Sequence, residues 1–290
     1  MTAHRFLSIL TIVAAALGSW FAMTLVDRDA SGIAHSRPVD VANAHAPAAA
    51  VAGTASATDA EASADRAETR RRRQPGRLSH DPLVVSLDPQ QAPNRASGRV
   101  LTALDQIRGS MKKSWYQHKT KVSRRRGHYG WDCSGMTTWI LEKAAPRARK
   151  ALHRDRPVAT TFLKTIKRAP TDRARRGWQH IANIADVRPG DIFAWKRPKE
   201  WGKGVTGHVG FVVSQPQPVA EVENAYVVRI VDSTRYPHEN DTRSPEGTGF
   251  GFGTVLFVTD DAGKPTAYGW YGALSRGVVF TDVAFGRVSR

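Results

Sequence analysis

An α+β fold with an antiparallel sheet is predicted by the order of patterns along the chain. Two stretches of helical period come first, around residues 97–111 and from Cys133 onward. Strand-like runs then follow one another at 192–195, 207–214 and 225–234, with no helical pattern between them. A hairpin signature comes after these runs. Parallel folds interleave helices and strands, whereas segregated runs mark α+β.

In "ASGRVLTALDQIRGSMKKSWYQ", Val100, Leu101, Leu104, Ile107 and Met111 recur at helical spacing. "SRRRGHYGW" reads as a basic loop with a glycine turn. "CSGMTTWILEKAAPRARKAL" reads as a helix opening at or near Cys133. Met136, Trp139 and Ile140 form its buried face, and Pro146 ends or kinks it. Residues 157–184 read as a short helix and a connector. Pro189-Gly190 supplies a turn before the strand Ile192-Phe193-Ala194-Trp195. In "AYVVRIVDST", Val227, Arg229 and Val231 share one face, Val228 and Ile230 the other. "GFGTVLFVTDDAGKPTAYGWYG" reads as a hairpin turning at Asp261-Ala262-Gly263-Lys264. "GVVFTDVAFGR" offers a last strand.

Globular patterning starts near residue 97, so the core is expected in 97–290. Residues 6–26 carry no charge and follow Arg5. That length matches the ~20 residues of a bilayer-spanning helix and exceeds the ~7–15 of a signal-peptide core. Segment 1–26 is therefore read as an uncleaved signal anchor in preference to a cleaved signal peptide. With Arg5 inside, the rest of the chain lies outside the cytoplasm, in the periplasm or envelope and held to the inner membrane; it is secreted if the segment is cleaved. Residues 27–96 have too few large apolar groups to offset their ordering entropy and read as a disordered tether, rich first in alanine and then in arginine. A net charge of +17 favours anionic surroundings. Export turns that preference away from nucleic acid and toward acidic envelope polymer.

The chain has one cysteine, which excludes an intrachain disulfide and any multi-cysteine zinc site. By itself such a residue is usually a small buried hydrophobe. Here "GWD" turns into "CSGMTTWIL", which places Cys133 at a helix N-terminus, where free N–H groups and the dipole stabilise a thiolate. A nucleophilic thiolate needs a base oriented by a third polar group. Of ten histidines, His208 stands out, between Gly207 and Gly210 at the mouth of an apolar strand. Asp232 follows on the next strand, where "RIV" turns polar, and can accept a hydrogen bond from His208.

"WDCSGMTTWIL", "VRPGDIFAW", "GHVGFVV" and "IVDST" resemble, in this order, the motifs of the NlpC/P60 cysteine peptidases. The resemblance covers about residues 97–235. It implies a papain-like fold with N-terminal helices packed on an antiparallel sheet. It implies cleavage of amide bonds in the stem peptides of bacterial peptidoglycan, often between D-glutamate and a diamino acid. By motif, Cys133 is the nucleophile, His208 the base and Asp232 the orienting group, a position more often His, Asn or Gln in the family. Ser134 is expected to help bind substrate. The family's active-site tyrosine lies before the cysteine; Tyr116 is the nearest candidate and Tyr129 the other. No cofactor or metal is implied. Two rival readings remain: a non-catalytic binding or scaffold module on the same fold, and a related acyltransferase or amidase.

Three further stretches read as structural. "YPHENDTR", with His238, Glu239 and Asp241, could hold a cation or shape a cleft, but the plain reading is a solvated loop. "GTGFGFG" at 247–253 precedes a strand, not a helix, so it reads as turns and not as a phosphate cradle. Trp178 and His180 read as packing, and so do most of the eight tryptophans, although Trp131, Trp195 and Trp201 could line a groove.

Overall fold

The computed structural model describes residues 86–290 except 202–203, 205, 221 and 271–276. The anchor read at 6–26 and most of the tether lie outside the described residues. Among those described, no helix is long and apolar enough to cross a membrane.

The chain is α+β. Helix α1 (Arg95–Ser110) is capped by Asn94, whose side chain accepts from the Ala96 and Ser97 N–H groups. Strands β1 (Lys113–Tyr116), β2 (Lys121–Ser123) and β3 (His128–Trp131) follow. Helix α2 (Cys133–Ala144) ends before Pro146, which opens the short α3 (Pro146–Lys150). Proline is tolerated at a first helical position because that N–H has no helical partner. Helix α4 is Ala159–Lys167.

The remaining strands are β4 (Trp178–Ile181), β5 (Ile192–Lys196), β6 (Gly207–Val212), β7 (Gln217–Pro218), β8 (Ala225–Thr234), β9 (Gly249–Thr259), β10 (Pro265–Gly269), β11 (Val278–Phe280) and β12 (Val283–Val288). They form one large sheet in the order β11-β10-β9-β8-β6-β5-β12-β4, with β7 paired to β8. Every pairing in it is antiparallel.

Both faces of this sheet are buried. Helices α1, α2 and α4 cover one face, where Val209, Phe211, Val231, Phe250 and Phe252 join Leu104, Met136, Ile140 and Phe162 in one core. On the other face Phe193, Trp195, Ile230, Phe257, Tyr268 and Phe285 pack together, and Trp195 stacks on Tyr268 at 4.0 Å. The alternation read in 225–234 sorts these residues correctly. Arg287 of β12 pins the turn before β5: its guanidinium meets both Asp191 oxygens, at 3.0 and 2.9 Å. Burial pushes the Asp191 carboxyl up to about 6 even so.

Four expectations are corrected. The basic loop "SRRRGHYGW" contains β3, the centre of a separate three-stranded sheet in which β1 runs parallel and β2 antiparallel to it. Its outer strands are short and each opens on an exposed lysine, so no apolar alternation announces them. The connector in 157–184 contains β4, an edge strand on β12. The last strand is two: β11 joins β10 at one end of the sheet, and β12 lies between β5 and β4 near the other. "GFGFG" is the start of β9, paired residue by residue with β8.

Candidate active site

Three elements converge at the start of α2. Asp132 caps the helix, its Oδ1 accepting from the Gly135 N–H at 2.7 Å and from the Ser134 hydroxyl at 2.9 Å. Cys133 therefore occupies the first helical position, where backbone N–H groups lack helical partners. Helix α2 lies against β6 and β8. Those strands pair only at Phe211–Val231 and Val212–Ile230. Beyond these pairs they carry His208 and Asp232.

His208 Nε2 lies 2.6 Å from Asp232 Oδ2. The Cys133 thiol is a second hydrogen-bonding neighbour of the ring, which leaves Nδ1 to face the sulfur. The sequence suggested an exposed strand edge for His208, but the ring is buried. Trp195 and Trp270 crowd it, with centroids at 5.2 and 5.3 Å. Gly207 makes this close pairing possible: its φ is 145°, and a Cβ there would collide with the Trp195 carbonyl. Burial by itself would lower the pKa of the ring. The charge on Cys133 and the hydrogen bond to Asp232 outweigh it and raise His208 from 6.5 to about 9.

That shift has a stability consequence. The folded value lies above the unfolded one, so the contribution is fully present below pH 6.5 and is lost as pH rises through 9. A difference of this size is worth on the order of 3 kcal/mol. Urea midpoints measured across this range should fall with pH, and His208→Gln should flatten the decline.

Asp232 is fully buried and has three donors. Besides His208, the His238 Nε2 lies 2.7 Å from Oδ2, and the Arg243 guanidinium donates to Oδ1. Burial would raise the carboxyl; His238, Arg243 and the hydrogen bond from His208 hold it well below the usual carboxylate range. "YPHENDTR" is thus solvated only in part, with Tyr236, Glu239, Asn240 and Thr242 exposed. His238, Asp241 and Arg243 are buried against β9, where glycines make room. A Cβ on Gly251 would lie 2.5 Å from Arg243 Nε, and one on Gly253 2.5 Å from the His238 Cβ.

Sequence reasoning noticed His238 but preferred a solvated loop for it, and it missed Arg243. Two signals pointed to them: His-x-x-Asp-x-Arg begins six residues after Asp232, and Gly249, Gly251 and Gly253 alternate on the neighbouring strand.

Tyr116, at the end of β1, is the tyrosine beside Cys133. Burial first, then the charges on Cys133 and Asp132, push its phenol upward. The exposed Arg235 lies over its ring at 5.1 Å. Tyr129 is in the core, its hydroxyl 2.7 Å from Ser110 Oγ. The Ser134 hydroxyl is committed to the Asp132 cap. Trp131 and Trp195 are core residues. Trp178 packs as expected, its indole donating to the Ala148 carbonyl at 2.8 Å.

His208, Asp232 and His238 present ligand atoms within 4.8 Å of one another. They already satisfy each other by hydrogen bonds, and a guanidinium occupies the second carboxylate oxygen. This donor set fits a proton relay better than a metal centre. The chain matches no protein-family model, and comparison with curated proteins and with solved structures finds no similar one.

Proposed function

We propose that the chain is a cysteine hydrolase of papain-like, NlpC/P60 type that cleaves amide bonds in peptidoglycan stem peptides outside the cytoplasm. The observation that carries this reading is the continuous relay from Cys133 at a helix N-terminus through His208 to Asp232. Sγ loses its proton to His208 and attacks the carbonyl carbon. The Cys133 N–H, at the first helical position, receives the developing oxyanion, the Gly135 N–H being held by Asp132. The imidazolium then protonates the leaving amine, and a thioester remains. Water, deprotonated by His208, attacks the thioester, releasing the acid and restoring the thiol. Asp232 fixes the ring tautomer and stabilises the imidazolium throughout.

The motif order "WDCSG", "RPGD", "GHVG" supports the family assignment, and Tyr116 beside Cys133 fits the family's tyrosine. The uncharged segment 6–26 supports export, and the net charge of +17 suits an anionic polymer. A scaffold module would have no use for a histidine set between a helix-start thiol and a buried carboxylate. The protein incubated with purified muropeptides and sacculi tests the reading by product mass. Hydrolysis adds water, transfer adds an acceptor, and intact substrate with folded protein rejects both.

A further inference from the structure

We propose that His238 is a positioning residue of this site, held as an imidazolium, and that with Arg243 it controls how tightly His208 holds its proton. This rests on reading Cys133, His208 and Asp232 as nucleophile, base and orienting carboxylate.

The protonation of His238 follows from its partners. Nε2 lies 2.7 Å from the Asp232 carboxylate and Nδ1 lies 3.1 Å from the Trp270 carbonyl oxygen. Both partners accept only. A neutral ring has one N–H and would turn a lone pair toward one of them; an imidazolium satisfies both. The Trp270 indole stacks on the ring at 4.1 Å, and the ring is buried, so water cannot substitute for either acceptor.

A buried cation must be paired, and the surrounding charges do this. Asp232 reaches the ring from β8. Asp241, on the same loop, accepts from the backbone N–H of His238 at 2.8 Å. Arg243 bridges the two carboxylates: its Nη1 is 2.7 Å from Asp241, and its Nη2 donates to Asp232. Arg243 is locked further by the carbonyls of Gly249, Asp232 and Gly251 at 2.9, 2.9 and 3.1 Å. From β8, Arg229 also acts on Asp241. From β6, the His208 ring faces His238 at 6.5 Å, and from α2 Cys133 faces His208. From β9, Gly253 lies against His238.

Asp232 and Asp241 therefore oppose His238 and Arg243, two anions against two cations, before His208 is counted. Asp232 still accepts from His208, but its field on that ring is partly cancelled. Without the second imidazolium the carboxylate would hold the His208 proton harder, and the ring would be a poorer base for the water step at neutral pH.

Histidine-selective NMR of the full chain tests this, with His208 and His238 assigned by their Gln variants. At pH 7 the His238 resonances are expected to be those of an imidazolium. In His238→Gln the His208 inflection should move up by about one unit, the usual effect of removing a nearby charge. Arg243→Gln should move it the same way, while Arg243→Lys, which keeps the charge, should restore it. A neutral His238 ring at pH 7, or a His208 inflection unmoved in His238→Gln, overturns the proposal. If a variant fails to fold, the wild-type spectrum still decides the charge of His238. None of these readings needs substrate, so the charge of His238 and its effect on His208 are scored separately from cleavage of wall peptide.

Discussion

Cys133→Ala should abolish amide cleavage while leaving the fold intact. Loss of a nucleophile that works as a unit with its base costs about 10⁴-fold or more. The side chain is small and the cap that sets the helix belongs to Asp132, so the fold should persist, while the pH-dependent stability that the Cys133 charge lends through His208 should shrink. Asp232→Asn should differ in kind. An amide has one acceptor oxygen where the carboxylate has two, and three donors meet there. Its NH₂ would face either Arg243 or the two histidines, leaving a buried cation unpaired. Breaking a buried pair on one side costs about 3–5 kcal/mol, so this variant should lose stability as well as activity. Single-turnover cleavage and urea midpoints on both variants separate the two outcomes. Residual cleavage by Cys133→Ala near the wild-type rate would sink the hydrolase reading.

The residues proposed to act on substrate were legible because their local context is unusual. Cys133 follows a capping aspartate and a turn, and His208 sits between glycines at a strand mouth; both contexts are short-range. Asp232 was found because a ten-residue strand with clear alternation ends in polar residues. The large sheet was legible for the same reason: its central strands are apolar and uninterrupted. What failed depends on partners distant in sequence. Strands β2 and β3 carry charge or glycine where alternation would show. Strand β12 was visible as a strand, but nothing local says that it crosses to lie between β5 and β4. The backing of Asp232 was hidden because a polar loop reads as solvated unless its cover is known. That cover is the glycine face of β9, and glycines in series read as turns. Their function is close approach, which only the neighbour reveals.

The glycine face also carries a quantitative expectation. A Cβ at Gly253 would lie 2.5 Å from the His238 Cβ and 2.9 Å from Asp241 Oδ2. Neither neighbour can yield freely. The His238 ring is held at both nitrogens, and Asp241 is held by Arg243 and by backbone N–H groups. Gly253→Ala must therefore push the loop outward by an amount on the order of 1 Å. Overpacking of this sort costs about 1–3 kcal/mol, and misplacement by ~1 Å at a reacting constellation can cost on the order of 10²-fold in rate. Gly109→Ala provides the contrast. Gly109 lies in α1, and a methyl group added there would meet nothing within 4 Å, so alanine should stabilise the protein by about 0.4–1 kcal/mol and leave cleavage unchanged. Urea midpoints and kcat on the two variants should move in opposite directions for stability and diverge for rate. If Gly253→Ala keeps wild-type rate and stability, the loop is looser than its hydrogen bonds imply, and the backing of Asp232 is not a constraint on the site.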